Sequence, residues 1–178
     1  LQGAELDSLT DIGGVGSVAG STDLSSSAAA SNVTGGAVAT GKLTGAEGLD
    51  LNATLDVASD ASVSGTSGIN SSADATTTNG AATSTAQSTT ITGADLSGGI
   101  VDVGGIGSIA GQANFGLSAS SSNVEGASTA TADSAEATGL IGKTTATDGT
   151  FGIDVASDSG LSGMAIGSLT ADASSTAG

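Results

Sequence analysis

The side chains that could take part in chemistry are almost all carboxylates. The 178 residues include 18 aspartates and glutamates, two lysines, and neither histidine nor cysteine. Without histidine or cysteine, the sequence lacks the acid–base partner of a hydrolase triad and the usual zinc ligands. We therefore expect that the protein is not an enzyme, and the absence of cysteine also excludes disulfides.

Two pairs of aspartates recur at a spacing of four residues, Asp56 with Asp60 and Asp154 with Asp158. On a β-strand such residues face the same side about 13 Å apart. Unless a turn brings them together, that is too far for the carboxyl pair of a glycosidase. Calcium prefers oxygen ligands, so these four residues are calcium candidates, although no EF-hand loop or calcium-binding nonapeptide accompanies them. The simpler interpretation is solvated acids on the wet face of a sheet, with no cofactor.

The net charge of −16, with Lys42 and Lys143 as the only basic residues, limits the partners. Nucleic-acid binding needs a basic footprint, and an anionic membrane surface would repel the chain. No apolar run reaches the roughly 18 residues of a transmembrane helix, so no membrane insertion is expected. The start at Leu1 indicates a processed or trimmed protein, and the acidity with almost no lysine suits salty or extracellular water. In a secreted protein three sequons would be glycosylation candidates, at Asn32, Asn52 and Asn70.

The chain repeats itself. Asp11–Gly20 and Asp102–Gly111 share the pattern D-[IV]-G-G-[VI]-G-S-[VI]-A-G, and Leu55–Asp60 matches Ile153–Asp158. The offsets, 91 and 98 residues, indicate a duplicated unit with about seven residues inserted between Gly126 and Ile153. We expect one β unit over 1–92 and a second over 93–178.

Hydrophobic periodicity predicts strands. Across 48–65, apolar residues alternate with Asp, Asn, Thr and Ser, which is typical of strands with one buried face. The stretch is long for one strand and is expected to break near Ser59 and Asp60. The 30 glycines, together with Ser and Thr between the alanines, disfavour helix, so little or no α-helix is predicted.

The glycine-rich segments have a period of three instead. That spacing indicates a bulged strand, a tight crossing beneath another element, or an extended three-fold helix. Residues 81–92 form a strand-like tail that has no counterpart in the second unit, so a neighbouring molecule could add a strand there. The assembly candidates are the apolar residues of these segments: Ile12, Val15, Val18, Val103, Ile106, Ile109 and, on the tail, Ile91.

The predicted fold is all-β, with two sandwich-like tandem units or, alternatively, a continuous β-solenoid. The predicted function is a secreted structural protein, the subunit of an extracellular filament, sheath or surface layer, whose partners are copies of itself in a homopolymer. The alternative is a cell-surface adhesin or ice-binding module with a polar Thr/Asp face. Thr-x-Thr pairs occur at Thr83/Thr85 and Thr129/Thr131, but their spacing does not suggest a regular array.

Overall fold

Glycine-punctuated runs of alternating small and apolar residues become parallel β-strands. The structure is a computed structural model that describes residues 1–142 and 152–177, and across these ranges it has 13 strands and no helix, hence none that could span a membrane. The strands are β1 (Gln2–Leu6), β2 (Thr10–Ile12), β3 (Gly16–Thr34), β4 (Ala37–Leu43), β5 (Ala46–Leu51), β6 (Thr54–Val57), β7 (Ala61–Asn79), β8 (Ala82–Asp95), β9 (Ile100–Val103), β10 (Gly107–Glu125), β11 (Ser128–Ile141), β12 (Ile153–Val155) and β13 (Ser159–Ala177). The all-β prediction is confirmed.

The strands form three parallel sheets. Sheet 1 contains β1, β4, β5, β8 and β11, sheet 2 contains β2, β6, β9 and β12, and sheet 3 contains β3, β7, β10 and β13. The chain visits sheets 1, 2 and 3 in that order four times; we call each visit to all three a circuit. Strands of 1–92 pair directly with strands of 93–178 in every sheet, as in β7 with β10.

Successive circuits stack in register. In sheet 3 Gly16 pairs with Ala61, Ala61 with Gly107, and Gly107 with Ser159, which are steps of 45, 46 and 52 residues. Two circuits therefore make up one unit of the sequence repeat. The longer third step arises after Ile141, which still pairs at the shorter spacing with Asp95. The predicted insertion thus lies between Ile141 and Ile153, largely outside the described residues.

Several local expectations can be compared with the strands. The break near Ser59 and Asp60 is confirmed, because β6 ends at Val57 and β7 begins at Ala61. The period of three in the glycine-rich segment comes from a turn between β2 and β3, and this turn leaves Val15 77% exposed. The tail is indeed a strand, β8, but it is hydrogen-bonded on both sides, by β4 and β5 and by β11. It is therefore not an open edge that could accept a second molecule.

Two apolar cores fill the interior. One lies between the C-terminal parts of the strands of sheet 3 and the N-terminal parts of the strands of sheet 1, with Ile69, Ile91 and Leu117 among its members. The other lies beside sheet 2 and includes Leu55 and Val103. Alanine, valine, leucine and isoleucine supply nearly all of both cores, as the scarcity of aromatics requires.

A glycine waist separates the cores. It consists of a row in sheet 3 facing a row in sheet 1, where the backbones touch; a methyl group on Gly65 would strike the Gly93 carbonyl, and one on Gly111 would strike that of Gly139. Only glycine allows this approach. The rows are Gly20, Gly65, Gly111 and Gly163 in sheet 3, and Gly3, Gly48, Gly93 and Gly139 in sheet 1.

Candidate functional site

The last strand of sheet 3 has an open edge. Within the described residues β13 pairs only with β10. The Gly107 N–H donates to the Asp158 carbonyl at 3.0 Å, so the backbone N–H and C=O groups of even-numbered residues of β13 point toward β10. Because bonding directions alternate along a parallel strand, the odd-numbered residues turn their N–H and C=O groups away from β10. The edge is 19 residues long, which is about 60 Å of hydrogen-bonding backbone.

Apolar side chains line this open edge on both faces. Leu161 and Leu169 pair with the buried Ile109 and Leu117 of β10, yet they are 57% and 53% exposed because no other strand of the described residues covers them. Met164 and Ile166 point outward and are about as exposed, whereas their neighbours in β10 are the polar Gln112 and Asn114. Exposed apolar residues in a contiguous group mark an interaction surface more often than scattered ones do.

The opposite end of the stack presents the complementary edge. In the described part of the chain β3 pairs only with β7. The Gly16 N–H donates to the Asp60 carbonyl at 2.9 Å. The backbone N–H and C=O groups of even-numbered residues of β3 therefore point toward β7, and those of odd-numbered residues point away from it. Leu24 is partly buried against the first core and Val18 against the second. The two ends therefore differ in sequence but share strand direction and spacing.

One row of aspartates runs along sheet 2. Asp11 pairs with Asp56, Asp56 with Asp102, and Asp102 with Asp154. All four side chains are exposed, and adjacent strands lie about 4.8 Å apart. Like charges directly opposite each other destabilise strand pairing, so the four carboxylates repel one another along the stack.

A second acidic row lies on sheet 1, where Glu5 pairs with Asp50 and Asp50 with Asp95. Amide groups satisfy part of it: Gln2 Nε2 donates to Asp50 Oδ2 at 2.9 Å, and Asn52 Nδ2 donates to the same oxygen at 3.1 Å. The charge of neighbouring Asp7 is the main cause that raises the pKa of Glu5. The pKa of Glu47, beside this row, is raised chiefly by burial and secondly by the charge of Asp50.

The four calcium candidates are not brought into one ligand set. Asp56 and Asp154 belong to the exposed row of sheet 2, whereas Asp60 lies in the turn before β7, where its Oδ1 accepts the Ile106 N–H at 2.9 Å. Asp158 precedes β13 and accepts a backbone bond through its carbonyl. Across 1–142 and 152–177, no group of three acidic side chains is placed to hold a metal ion.

The assembly candidates divide by burial. Ile91, Val103 and Ile109 are at most 1% exposed and belong to the cores, so in this fold they hold the circuits together from inside. The structure places Ile12 and Val18 partly inside the second core. Val15 and Ile106, at 77% and 53% exposure, are turn residues on the surface. Sequence reasoning missed the surface at Leu161, Met164, Ile166 and Leu169. The signal was the apolar pair Met164 and Ile166, which stand where the preceding circuit has Gln112 and Asn114.

The three sequons lie on the surface. Asn32, Asn52 and Asn70 are all exposed. Asn32 Nδ2 donates to the Gly36 carbonyl at 3.1 Å and so fastens the turn after β3. Asn52 Nδ2 also contacts Asp7 Oδ1 at 3.2 Å. Glycosylation of either residue would compete with these bonds, whereas Asn70 stands on the outer face of sheet 3.

The threonine pairs are aligned by the fold, contrary to the expectation from their sequence spacing. Thr83 pairs with Thr129, and Thr85 pairs with both Thr40 and Thr131. A row of three threonines therefore crosses β4, β8 and β11 on the outer face of sheet 1.

No known family, curated protein or solved structure matches this chain.

Proposed function

We propose that the protein is a parallel β-solenoid and the subunit of a homopolymer, forming an extracellular filament, sheath or surface layer. The observation that carries the proposal is the open edge of β13, where Leu161 and Leu169 occupy interior rows but remain about half exposed. An unpaired strand edge is a template for another chain. Here the template is long, apolar and continuous with the stack of circuits.

A second copy is the occupant that the geometry favours. The three junctions inside the chain are all parallel pairings of one circuit on the next. A second copy offers β3 in the same direction, with Val18, Gly20 and Leu24 at the rows of Leu161, Gly163 and Gly167. The glycine waist would continue, and Leu24 would cover Gly167 as Phe115 does from the other side.

The contact joins unlike surfaces, β13 of one copy and β3 of the next. Such heterologous contacts do not close on themselves unless the rotation forms a ring, so they generate filaments. Since the strands of a stack run in one direction, the filament would be polar. The acidic composition, with a net charge of −16, supports an extracellular, solvated setting.

The experiment blocks one edge at a time with proline, which removes a backbone donor and is tolerated on edge strands. Ala171→Pro removes an N–H on the open side of β13, and Ala29→Pro does the same on the open side of β3. Each variant alone is expected to stay monomeric in sedimentation velocity at concentrations where the unmodified protein polymerises. Circular dichroism confirms that each variant retains its β structure.

Mixing the two variants provides the control. Ala171→Pro keeps a free β3 edge and Ala29→Pro keeps a free β13 edge, so together they can form one junction. A heterodimer that grows no further supports head-to-tail assembly. Polymerisation by either variant alone, or a monodisperse unmodified protein at high concentration with no filaments in negative-stain micrographs, would refute it.

A second candidate function rests on the threonine row. Thr40, Thr85 and Thr131 align on neighbouring strands, and a flat hydroxyl array could order water or bind a polar surface, as in an ice-binding module or adhesin. Thr85→Lys would then abolish inhibition of ice growth, whereas Ser72→Lys on sheet 3 would not. If the two variants behave alike, the threonine row is not an ice-binding surface.

A further inference from the structure

We propose that cations control the joining of copies through the aspartate row of sheet 2. This inference rests on the proposed head-to-tail stacking and specifies its regulation. Within one chain the row already contains Asp11, Asp56, Asp102 and Asp154, each opposite the next. In a stack of two copies, Asp154 of the first faces Asp11 of the second at the same strand spacing, about 4.8 Å.

Among the described residues, no lysine side chain lies beside this contact. Asp154 and Asp158 flank the β13 end, and Glu5, Asp7 and Asp11 flank the β3 end. Of the two lysines, Lys42 lies on the outer face of sheet 1, opposite Gln87, and Lys143 is outside the described residues. Apolar and backbone contacts therefore favour the junction, whereas the Asp154–Asp11 pair opposes it.

The repulsion within the aspartate row acts over a shorter distance than the repulsion between the other negative charges of the two copies. Charges far apart on the two copies are screened at about 0.1 M salt, where the Debye length is about 10 Å. A pair about 5 Å apart is screened only near molar monovalent salt, where the Debye length is about 3 Å. Divalent cations, which carboxylates attract more strongly, act at much lower concentration.

The experiment measures assembly by sedimentation velocity across series of NaCl and MgCl₂ concentrations. The unmodified protein is expected to be dispersed at low ionic strength and to assemble as either salt rises, with Mg²⁺ effective at lower concentration. Asp154→Asn removes one charge at the junction, and Asp74→Asn removes one exposed charge from the outer face of the internal strand β7. Asp154→Asn is expected to tighten assembly at low salt by roughly three- to fivefold, as one pair at about 5 Å in water predicts, and Asp74→Asn by much less.

Each outcome separates the two proposals. Equal shifts for Asp154→Asn and Asp74→Asn would mean that only net charge matters, which overturns control by the row. Assembly that does not depend on salt would also overturn the row's role while leaving the homopolymer intact. Absence of assembly at every salt concentration would overturn the homopolymer itself. Thermal melting of each monomer shows whether a variant acts through folding, since Asp154→Asn also relieves the internal contact with Asp102.

Discussion

The glycine waist makes a quantitative prediction about Gly65→Ala. The added methyl carbon would collide with the Gly93 carbonyl oxygen, and would also lie 2.8 Å from the carbonyl carbon and 2.9 Å from Ala94 Cβ. Ordinary carbon contacts need about 3.5–4.0 Å, so sheets 1 and 3 must separate by about 1 Å. A gap of that size forfeits a quarter to a half of each affected contact. Overpacking against backbone should therefore cost about 3 kcal/mol, the upper end of the usual range.

The assay is urea unfolding, in which a lower midpoint at unchanged slope reports lost stability. Gly160→Ala is the matched control, because it lies in the same sheet but has no atom within 4 Å of the added methyl; a change within about 1 kcal/mol is expected there. If Gly65→Ala does not fold, Gly20→Ala tests the same contact, against the Gly48 carbonyl, in the first circuit. A Gly65→Ala midpoint equal to that of the unmodified protein would refute the waist as a constraint.

Three further predictions concern the junction, one carboxyl and local stability. Because the chain has no cysteine, Ala19→Cys mixed with Ser162→Cys should form a disulfide-linked heterodimer if copies stack in register, whereas Ala19→Cys mixed with Ser168→Cys should not; an Ala19→Cys homodimer would instead indicate edge-to-edge pairing of like strands. Burial raises the pKa of Glu47 above its ordinary 4.5, so its ionisation opposes folding above the raised pKa, and stability returns as the pH falls toward 4.5. Glu47→Gln should therefore be more stable at pH 7 and less dependent on pH in urea unfolding, and a loss of stability at pH 7 would contradict this. In hydrogen exchange of the monomer, amides of β7, paired on both sides, should be protected far longer than the open-edge amides of β13; equal protection would argue against an open edge.

The strand content was predictable because its causes are local. Alternation across 48–65 and frequent glycine are visible in any short window, and both disfavour helix. Residues 81–92 were recognised as a strand from their Thr and Ile content, which is also a local signal. Whether that strand was free or paired was not predictable, since its partners β4 and β11 lie one circuit away in each direction.

The circuit length was obscured by a stronger similarity at twice its length. The turns after Asp11 and Asp102 contain Gly-Gly, whereas those after Asp56 and Asp154 contain Ala-Ser, so alternate circuits look more alike than neighbours do. The common signal was weaker but present. Each of the four aspartates is followed by Ile or Val and, nine residues on, by a glycine of the waist.

The candidate surface was harder to predict because exposure depends on what lies across the edge. Leu161 and Leu169 follow the same inward alternation as Val63 and Ile109, and nothing in their own segment distinguishes them. Only the stacking order shows that no described strand lies beyond them. Met164 and Ile166 are the exception, since they replace Gln112 and Asn114 of the preceding circuit on the outer face, and comparison of these two circuits reveals them.

The waist connects core size to assembly. Because the sheets touch there, each core holds only small and medium side chains, and a single circuit buries too little apolar surface to be stable alone. Stability must then come largely from contacts between neighbouring circuits, as it does in stacked-repeat proteins. An internal circuit has two neighbouring circuits, whereas the circuit that contains β13 has one among the described residues. The half-exposed Leu161 and Leu169 are the residues that lack a contact on that side. A second copy would restore that contact at the cost of one more aspartate pair. In the proposed junction, the same rows that align the circuits would supply both the attraction and the repulsion, and the salt concentration would decide between them.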